Sequence, residues 1–180
     1  MKDPGNFTLR DAGPEDRAPA QAVTLAAYEE YAASMPPFAW EGYRHNILET
    51  VGNPAPAEHI VAEQYGTIVG SALLFPPMKD VTPVPGASFS NEWPEARLLA
   101  VLPAARGRGI ARALMEACAQ RALKAGFPYL TLHTSDQMQA ARRLYARMGF
   151  VRFPPLDFCP MEGVVIEGYR LDLEAPAFMK

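Results

Sequence analysis

The stretch Glu95–Ala122, EARLLAVLPAARGRGIARALMEACAQRA, decides how this chain of 180 residues folds. Its first part, Leu98–Leu102, is an apolar run with branched side chains, which predicts a buried strand. Pro103 ends that strand because proline has no N–H to give to the ladder. From Ile110 onward, apolar residues recur every three or four positions, as on the buried face of a helix. The stretch therefore predicts a strand, a glycine-rich turn and a helix.

The turn between this strand and helix, Arg106–Gly109, has the features of an anion site. The first amides of a helix have no partner within the helix, and the helix dipole adds partial positive charge there. Gly107 and Gly109 have no Cβ, so a ligand can approach the backbone closely. These features suit a diphosphate. The turn has neither the Gly-Lys-Ser/Thr of a Walker loop nor the third glycine of the dinucleotide fingerprint. A basic turn before an ordinary core helix is the alternative.

A second stretch, ARRLYARMGF at residues 141–150, predicts a short helix that ends at a glycine. Together the two stretches resemble the GNAT N-acetyltransferase superfamily. The main motif of that family is Arg or Gln, two residues, Gly, one residue, then Gly or Ala, and it is met here by Arg106, Gly109 and Ala111. The second motif is an Ala, Leu-Tyr and Gly-Phe series, met by Ala141, Leu144, Tyr145, Gly149 and Phe150. Many relatives carry Asn at the position of Met138.

The resemblance implies one N-acetyltransferase domain over residues 1–180 with an α/β (α+β) fold. The expected sheet is mixed and largely antiparallel, with about six to seven strands and helices on both faces. Acetyl-CoA would be the co-substrate, and no metal would be needed. Its pantetheine arm would lie where strands Leu98–Leu102 and Tyr129–Thr134 splay apart. The implied cofactor-binding residues are Leu99, Ala100 and Val101 in the strand and Arg106, Gly107, Arg108, Gly109, Ile110 and Ala111 in the turn.

Direct attack of an amine on acetyl-CoA makes three chemical demands. The amine must lose a proton, since a lysine-like amine has a pKa of about 10.4; Glu95 is the candidate acceptor, and Glu92 the alternative. Fixed donors near Val101 must stabilise the oxyanion. The departing thiolate benefits from a proton donor, and the resemblance assigns that role to Tyr145. A packed aromatic side chain is the other interpretation of Tyr145, and a solvated charge that of Glu95.

The composition argues against several other classes of protein. A net charge of −3 argues against a nucleic-acid partner. No apolar run approaches the ~20 residues of a membrane helix, and the first residues contain no apolar signal region, so no membrane partner is expected. Two distant cysteines do not form a disulfide framework, which favours the cytoplasm. The three histidines fit no metal-ligand motif and are interpreted as structural or exposed: His45, His59 and His133.

Hydrophobic patterning and breakers predict the other elements of the chain. The predicted helices cover residues 14–31, 41–50 and 137–148, and the predicted strands cover residues 7–10, 59–62, 68–74, 129–133, 151–153 and 164–173. A proline-rich loop is expected from Pro76 to Pro94, functional or mobile because of its length. Cys118 is expected in the core, while Cys159 could be exposed.

The sequence thus predicts an acetyl-CoA-dependent N-acetyltransferase that acts on a small-molecule or peptide primary amine. An acetyl-CoA sensor of the same fold without turnover is the alternative, and a homodimer is left open. By resemblance, the acceptor pocket would come from the first two helices and the proline-rich loop. Their aromatic and acidic side chains suit a cationic amine with an apolar body, or equally a core with a solvated face: Tyr28, Tyr31, Phe38, Trp40, Tyr43, Phe89, Trp93, Glu29, Glu30 and Glu41.

Overall fold

The structure, a computed structural model, describes residues 7–84 and 87–175, the side chains of residues 80–89 excepted. The chain forms two compact units, Met1–Leu74 with Leu98–Ala117 and Phe75–Arg97 with Cys118–Lys180. The interpretation of residues 1–180 as one domain stays a prediction. None of the described helices is both long and apolar enough to span a membrane.

The first unit opens with the elements that the sequence predicts before the deciding stretch. They are strand β1 (Thr8–Asp11), helix α1 (Arg17–Tyr28), helix α2 (Pro37–Gly52) and the hairpin of β2 (Glu58–Gln64) and β3 (Thr67–Phe75). A 3₁₀ helix, Pro14–Asp16, precedes α1 and another, Glu29–Ser34, follows it. Helices α1 and α2 pack together, and the Gln21 amide donates to the Leu48 carbonyl at 2.7 Å.

The predicted loop from Pro76 to Pro94 is wrong for most of its length. It contains strands β4 (Met78–Val84) and β5 (Ala87–Asn91), which pair with each other as an antiparallel hairpin. The prolines favoured a loop because proline cannot donate to a ladder. In a two-stranded hairpin each strand has an unpaired edge, and proline is tolerated there. The side chain of Phe89 lies outside the described part of the chain.

The deciding stretch forms the predicted strand, turn and helix. Strand β6 (Glu95–Val101) begins three residues earlier than predicted, and a 3₁₀ turn, Pro103–Ala105, leads to helix α3 (Ile110–Lys124). Gly70 on β3 lets α3 approach the sheet, since a Cβ there would lie 2.9 Å from the Ile110 side chain. Ile110 and Leu114 are almost completely buried in the core of the first unit.

The second unit holds the elements after α3. They are β7 (Tyr129–Thr134), α4 (Gln139–Met148), β8 (Val151–Arg152), β9 (Phe158–Met161) and β10 (Val164–Asp172). Strand β9 is an element that the sequence did not predict. Its Cys159 is exposed, and Cys118 in α3 is buried, as expected. The apolar core of this unit includes Leu130, Leu132, Leu156 and Leu173, each nearly or fully buried.

Hydrogen bonds connect the strands in the order β1-β2-β3-β6-β7-β10-β8, and β9 also pairs with β10. Strands β6 and β7 are parallel, at Glu95 opposite Thr131 and Ala96 opposite Leu132. The pairs β1 with β2, β2 with β3, and β10 with each of β7, β8 and β9 are antiparallel. The predicted fold class is therefore confirmed: within the described residues, a mixed, largely antiparallel sheet is accompanied by four helices. The sheet has eight strands in that part of the chain, where six to seven were expected.

Candidate active site

The glycine turn has the backbone that an anion site needs. Gly107 and Gly109 have φ angles of 77° and 83°, in the left-handed region that residues with a Cβ rarely adopt. The Gly109 carbonyl accepts a hydrogen bond from the Ala113 N–H at 3.0 Å, so the hydrogen-bond ladder of α3 starts at Gly109. The amides that follow it belong to the first helical turn, where intrahelical partners are lacking. A Cβ built on either glycine meets nothing within 4 Å.

The arginine side chains around this turn bond to groups of the protein. The Arg108 guanidinium donates to the Gln64 side chain at 3.1 Å, and Arg112 pairs with Glu116 one turn further along α3 at 2.7 Å. Arg106 bonds to three acceptors in the first unit, among them the Val101 carbonyl at 3.3 Å. The guanidinium groups therefore supply positive charge, while the left-handed glycines and the helix start supply the N–H groups.

Strand β6 has an irregular backbone at Leu98, where φ is 49°. Leucine rarely adopts this conformation, because its Cβ crowds the carbonyl at a cost of roughly 1–2 kcal/mol. A residue of this kind interrupts a ladder and re-aims the strand that follows. Leu99, Ala100 and Val101, the predicted strand contacts of the cofactor, come directly after it. Strained residues cluster at functional sites. The sequence did not predict the strain at Leu98, because a leucine side chain gives no indication of a positive φ.

Glu95 lies at the start of β6 and is buried, with 3% of its surface exposed. One carboxylate oxygen is 2.7 Å from His133 Nδ1, and the other accepts a hydrogen bond from Arg97 at 2.7 Å. Burial alone would raise the pKa of the Glu95 carboxyl, but the hydrogen bonds and charges of His133 and Arg97 outweigh burial and lower the pKa to about 2. Glu95 is therefore a carboxylate with both oxygens engaged, while Glu92 is exposed.

His133 is the residue of this cluster whose role the sequence did not suggest. It lies in β7, 38 positions after Glu95, and the parallel pairing of β6 with β7 brings the two side chains together. Its Nε2 donates to the Leu156 carbonyl at 2.7 Å, and its ring packs edge-on against Phe158. The interpretation of His133 as structural or exposed missed this contact, because sequence spacing carries no signal for a partner on another strand.

Tyr145 lies in α4, and 7% of its surface is exposed. Its ring packs against Phe150 with 5.6 Å between the centroids. Gly149, with φ at 92°, ends the helix in the left-handed conformation, as the sequence predicts. At the carboxyl end of β7, the buried hydroxyl of Thr134 has no hydrogen-bond partner among the described residues. Tyr145 and Glu95 belong to the second unit, whereas the turn from Arg106 to Ala111 belongs to the first.

The aromatic side chains proposed for the acceptor separate into two groups. One group lies in the first unit, where successive rings contact each other edge-on with centroids 5.8 to 6.4 Å apart, in the order Tyr31, Tyr28, Tyr43 and Trp40. Trp93 instead packs in the second unit against Tyr129, Phe153 and Arg170. Among the candidate acids, Glu30 pairs with Arg106 and Glu41 with Arg44. Phe38 is 74% exposed.

Comparison with known proteins identifies the class to which this fold and turn belong. The model of the family described as "Acetyltransferase (GNAT) family" matches residues 24–150, which is most of the chain. The chain therefore belongs to the GNAT acetyltransferase family, and the predicted enzyme class, an acyltransferase, is confirmed. No curated protein matches the chain in sequence.

Many solved structures share the fold, and three examples illustrate the likeness. A GNAT family acetyltransferase from Brucella melitensis, solved with acetyl-CoA, is 22% identical with a TM-score of 0.63, covering 95% of this chain and 90% of its own. A GCN5-related N-acetyltransferase from Rhodopseudomonas palustris is 21% identical, with a TM-score of 0.68 and coverages of 96% and 99%. YncA from Salmonella typhimurium, solved with its cofactor acetyl-CoA, is 19% identical, with a TM-score of 0.56 and coverages of 95% and 96%.

Proposed function

We propose that this protein is an N-acetyltransferase that moves the acetyl group of acetyl-CoA to a primary amine of a small molecule or peptide. The observation that carries the proposal is the turn before α3, where Gly107 and Gly109 both have a left-handed backbone. That backbone presents N–H groups at the positive end of a helix, which suits a diphosphate. Family membership and the acetyl-CoA bound in two similar structures support acetyl-CoA as the source of that diphosphate.

The cofactor would be held chiefly by main-chain groups. The N–H groups of residues 107–111 would bind the pyrophosphate, a set that comprises Gly107, Arg108, Gly109, Ile110 and Ala111. The N–H of Arg106, the residue that opens the turn, donates to the Pro103 carbonyl at 3.3 Å. Leu99, Ala100 and Val101 would bind the pantetheine arm and the thioester carbonyl. Because the Val101 carbonyl accepts a hydrogen bond from Arg106, the proposed contact of Val101 is through its N–H. Preorganised N–H donors of this kind also stabilise the oxyanion that forms during attack.

In the proposed reaction the amine nitrogen attacks the thioester carbon, the C–S bond breaks, and the thiolate of CoA leaves. Tyr145 would give its phenolic proton to that thiolate and regain one from solvent, since a phenol with a pKa of about 10 is protonated at neutral pH. Glu95 would receive the proton of the attacking amine, directly or through a water. Its lowered pKa makes it a weak base, so bulk solvent would be the final acceptor and Glu95 a relay.

An acetyl-CoA sensor without turnover is the second candidate. The observation that favours it is Glu95 itself, because a carboxylate engaged by His133 and Arg97 is poorly suited to take a proton. The observation against it is that Tyr145 keeps its place in α4 beside the left-handed Gly149. Turnover therefore separates the two candidates, whereas binding of acetyl-CoA is common to both.

The test combines binding and turnover on one sample. Titration calorimetry with acetyl-CoA and with CoA measures the cofactor site. Thiol release is then followed with a panel of amines comprising polyamines, amino acids and peptide N-termini, and mass spectrometry looks for an acceptor heavier by one acetyl group. Binding with release on at least one amine supports the enzyme, and binding without release on any supports the sensor. Light scattering on the same sample tests for a homodimer, and the cytoplasm is the proposed setting.

A further inference from the structure

The side chain of Arg106 is held by three groups from three elements of the first unit. Nε donates to the Val101 carbonyl at the end of β6, at 3.3 Å. Nη2 donates to the Ala27 carbonyl in the last turn of α1 at 3.1 Å, and Nη1 pairs with the Glu30 carboxylate at 3.0 Å. The guanidinium therefore connects the residue that opens the glycine turn to the end of α1 and to the 3₁₀ segment Glu29–Ser34.

The 3₁₀ segment at the other end of this connection carries Tyr31, one of the residues expected in the pocket for the amine acceptor. Burial, together with the charge of Glu30 and a hydrogen bond to it, raises the pKa of Tyr31. The ring of Tyr31 contacts Tyr28 edge-on, with centroids 6.0 Å apart. A continuous series of contacts thus runs from the end of β6 through Arg106 and Glu30 to the aromatic side chains of the first unit.

We propose that Arg106 is a positioning residue that couples the cofactor turn to the segment Glu29–Ser34. Its main chain opens the turn on which the pyrophosphate would lie, and its side chain holds the segment. Acetyl-CoA that fixes the main chain of Arg106 therefore also fixes the Cα from which its side chain extends. The segment Glu29–Ser34, which that side chain holds, becomes more ordered as a result. Once acetyl-CoA has ordered the segment, the amine acceptor binds without the entropic cost of ordering it, so its binding is more favourable. The coupling is reciprocal, since a bound acceptor would favour acetyl-CoA by the same factor. This inference rests on the proposed function.

The competing explanation is that Arg106 only adds positive charge near the diphosphate. The two explanations differ in what they demand of the side chain. A guanidinium is a planar fork with five N–H donors, and here it bonds in three directions. Lysine carries the same charge on a compact ammonium and cannot reproduce that fork. Arg106→Lys therefore preserves a charge role and removes a positioning role.

The experiment is hydrogen exchange measured by mass spectrometry, with and without acetyl-CoA. In the unmodified protein, acetyl-CoA should slow exchange of amides in residues 28–34 by about tenfold. In Arg106→Lys and Arg106→Gln that slowing should be lost at acetyl-CoA concentrations that saturate each variant, which a calorimetric titration of each variant establishes. Glu30→Gln should reproduce the exchange effect of Arg106→Gln, and the double variant should add little to either.

Arg112→Gln is the matched control, since it removes an arginine from an ion pair in the first turn of α3 without touching the 3₁₀ segment. It should retain the slowing of exchange in residues 28–34. Retained slowing in Arg106→Lys would overturn the proposal in favour of a charge role. No slowing in the unmodified protein, with acetyl-CoA bound, would also overturn it. If acetyl-CoA does not bind the unmodified protein at all, the proposed function fails first, and the calorimetric titration identifies that outcome separately.

Discussion

At the scale of single residues, the charge of Glu95 follows from what surrounds it. Because a carbonyl can only accept, His133 Nε2 donates to Leu156, which fixes the ring on that side. The hydrogen bonds and charges of His133 and Arg97 outweigh burial and lower the pKa of Glu95 to about 2, so its side chain is a carboxylate at neutral pH. His133 Nδ1 lies 2.7 Å from one carboxylate oxygen, and Arg97 donates to the other at 2.7 Å. This pairing stabilises the charge of Glu95 and limits its strength as a base.

Glu95→Gln tests the relay role. If Glu95 passes the amine proton to water, the variant should lose about 10²-fold in kcat/KM near pH 7. Part of the rate should return at high pH, because free amine becomes abundant as the pH approaches the amine pKa of about 10.4. Acetyl-CoA affinity should hardly change. The measurement is a pH–rate profile of both proteins, with Glu92→Gln as the control. The same profile in Glu92→Gln alone would transfer the role to Glu92, and no response in either would leave proton transfer to solvent.

Tyr145→Phe tests the proposed acid. The substitution keeps the ring and its packing on Phe150 and removes the phenolic hydroxyl. If protonation of the thiolate is part of the slow step, the single-turnover rate should fall about 10²–10⁴-fold. The acetyl-CoA Kd should stay within a few fold, because the ring contacts survive. Single-turnover measurement avoids masking by slow product release. Full activity in a folded variant would make Tyr145 a packing residue.

At the scale of elements, the sequence specified the glycine turn before α3 but not the irregular backbone of the strand that leads to it. Arg106, Gly109 and the apolar period after Ile110 are local signals, and the structure has the predicted turn and helix in place. The left-handed Leu98 in β6 has no local signal, because leucine does not favour that backbone. The contact of Glu95 with His133 depends on pairing between strands distant in sequence. Local patterns therefore predicted elements and motif residues, and missed what tertiary pairing creates.

Gly109→Asp tests the anion site at this element. The variant places a carboxylate beside the amides that would bind the pyrophosphate, so like charge opposes binding. The loss of acetyl-CoA affinity should be at least about tenfold, or 1.4 kcal/mol. Asp tolerates a positive φ better than most residues, and a Cβ at this position meets nothing within 4 Å, so the fold should survive. Gly109→Asn has nearly the same shape without the charge and should lose clearly less. Equal affinities for all three proteins would remove the pyrophosphate assignment.

Gly70→Ala tests how α3 is held against the sheet. The added Cβ would lie 2.9 Å from Ile110, 3.1 Å from Leu114 and 3.3 Å from the Ala100 carbonyl. Overpacking of this kind should lower the free energy of unfolding by about 1–3 kcal/mol. Gly42→Ala is the control, since its Cβ meets nothing within 4 Å in α2; it should raise that free energy by up to ~1 kcal/mol. Urea unfolding measures both, and a Gly70→Ala protein as stable as the unmodified one would contradict this packing.

At the scale of the whole molecule, ionisable groups with buried or hydrogen-bonded side chains in both units make the folded protein less stable as the pH falls. Burial lowers the pKa of His59, which hydrogen-bonds with Ser71 at 2.8 Å. A folded pKa below the unfolded value of about 6.5 means that stability is complete above that pH and declines as the pH falls. Hydrogen bonds from Arg10 lower the pKa of Asp16 to about 2, and Glu95 has a similarly lowered pKa. These carboxylates lose their contribution at still lower pH.

Asp16→Asn tests the pH range in which the Asp16 carboxylate contributes to stability, separately from the range in which His59 does. Two Arg10 nitrogens donate to Asp16, at 2.6 and 2.9 Å, and the Gly13 amide donates to it at 2.8 Å. A folded pKa of about 2 against an ordinary value of 3.8 makes the charged form worth about 2 kcal/mol at neutral pH. The variant should therefore be less stable by about that amount at pH 7. The difference should persist down to about pH 4 and shrink as the pH approaches 2, where Asp16 of the unmodified protein is itself protonated. Urea unfolding at a series of pH values measures the two curves. A difference that is absent at pH 7, or that grows between pH 4 and pH 2, would contradict the ion pair as the source of this stability.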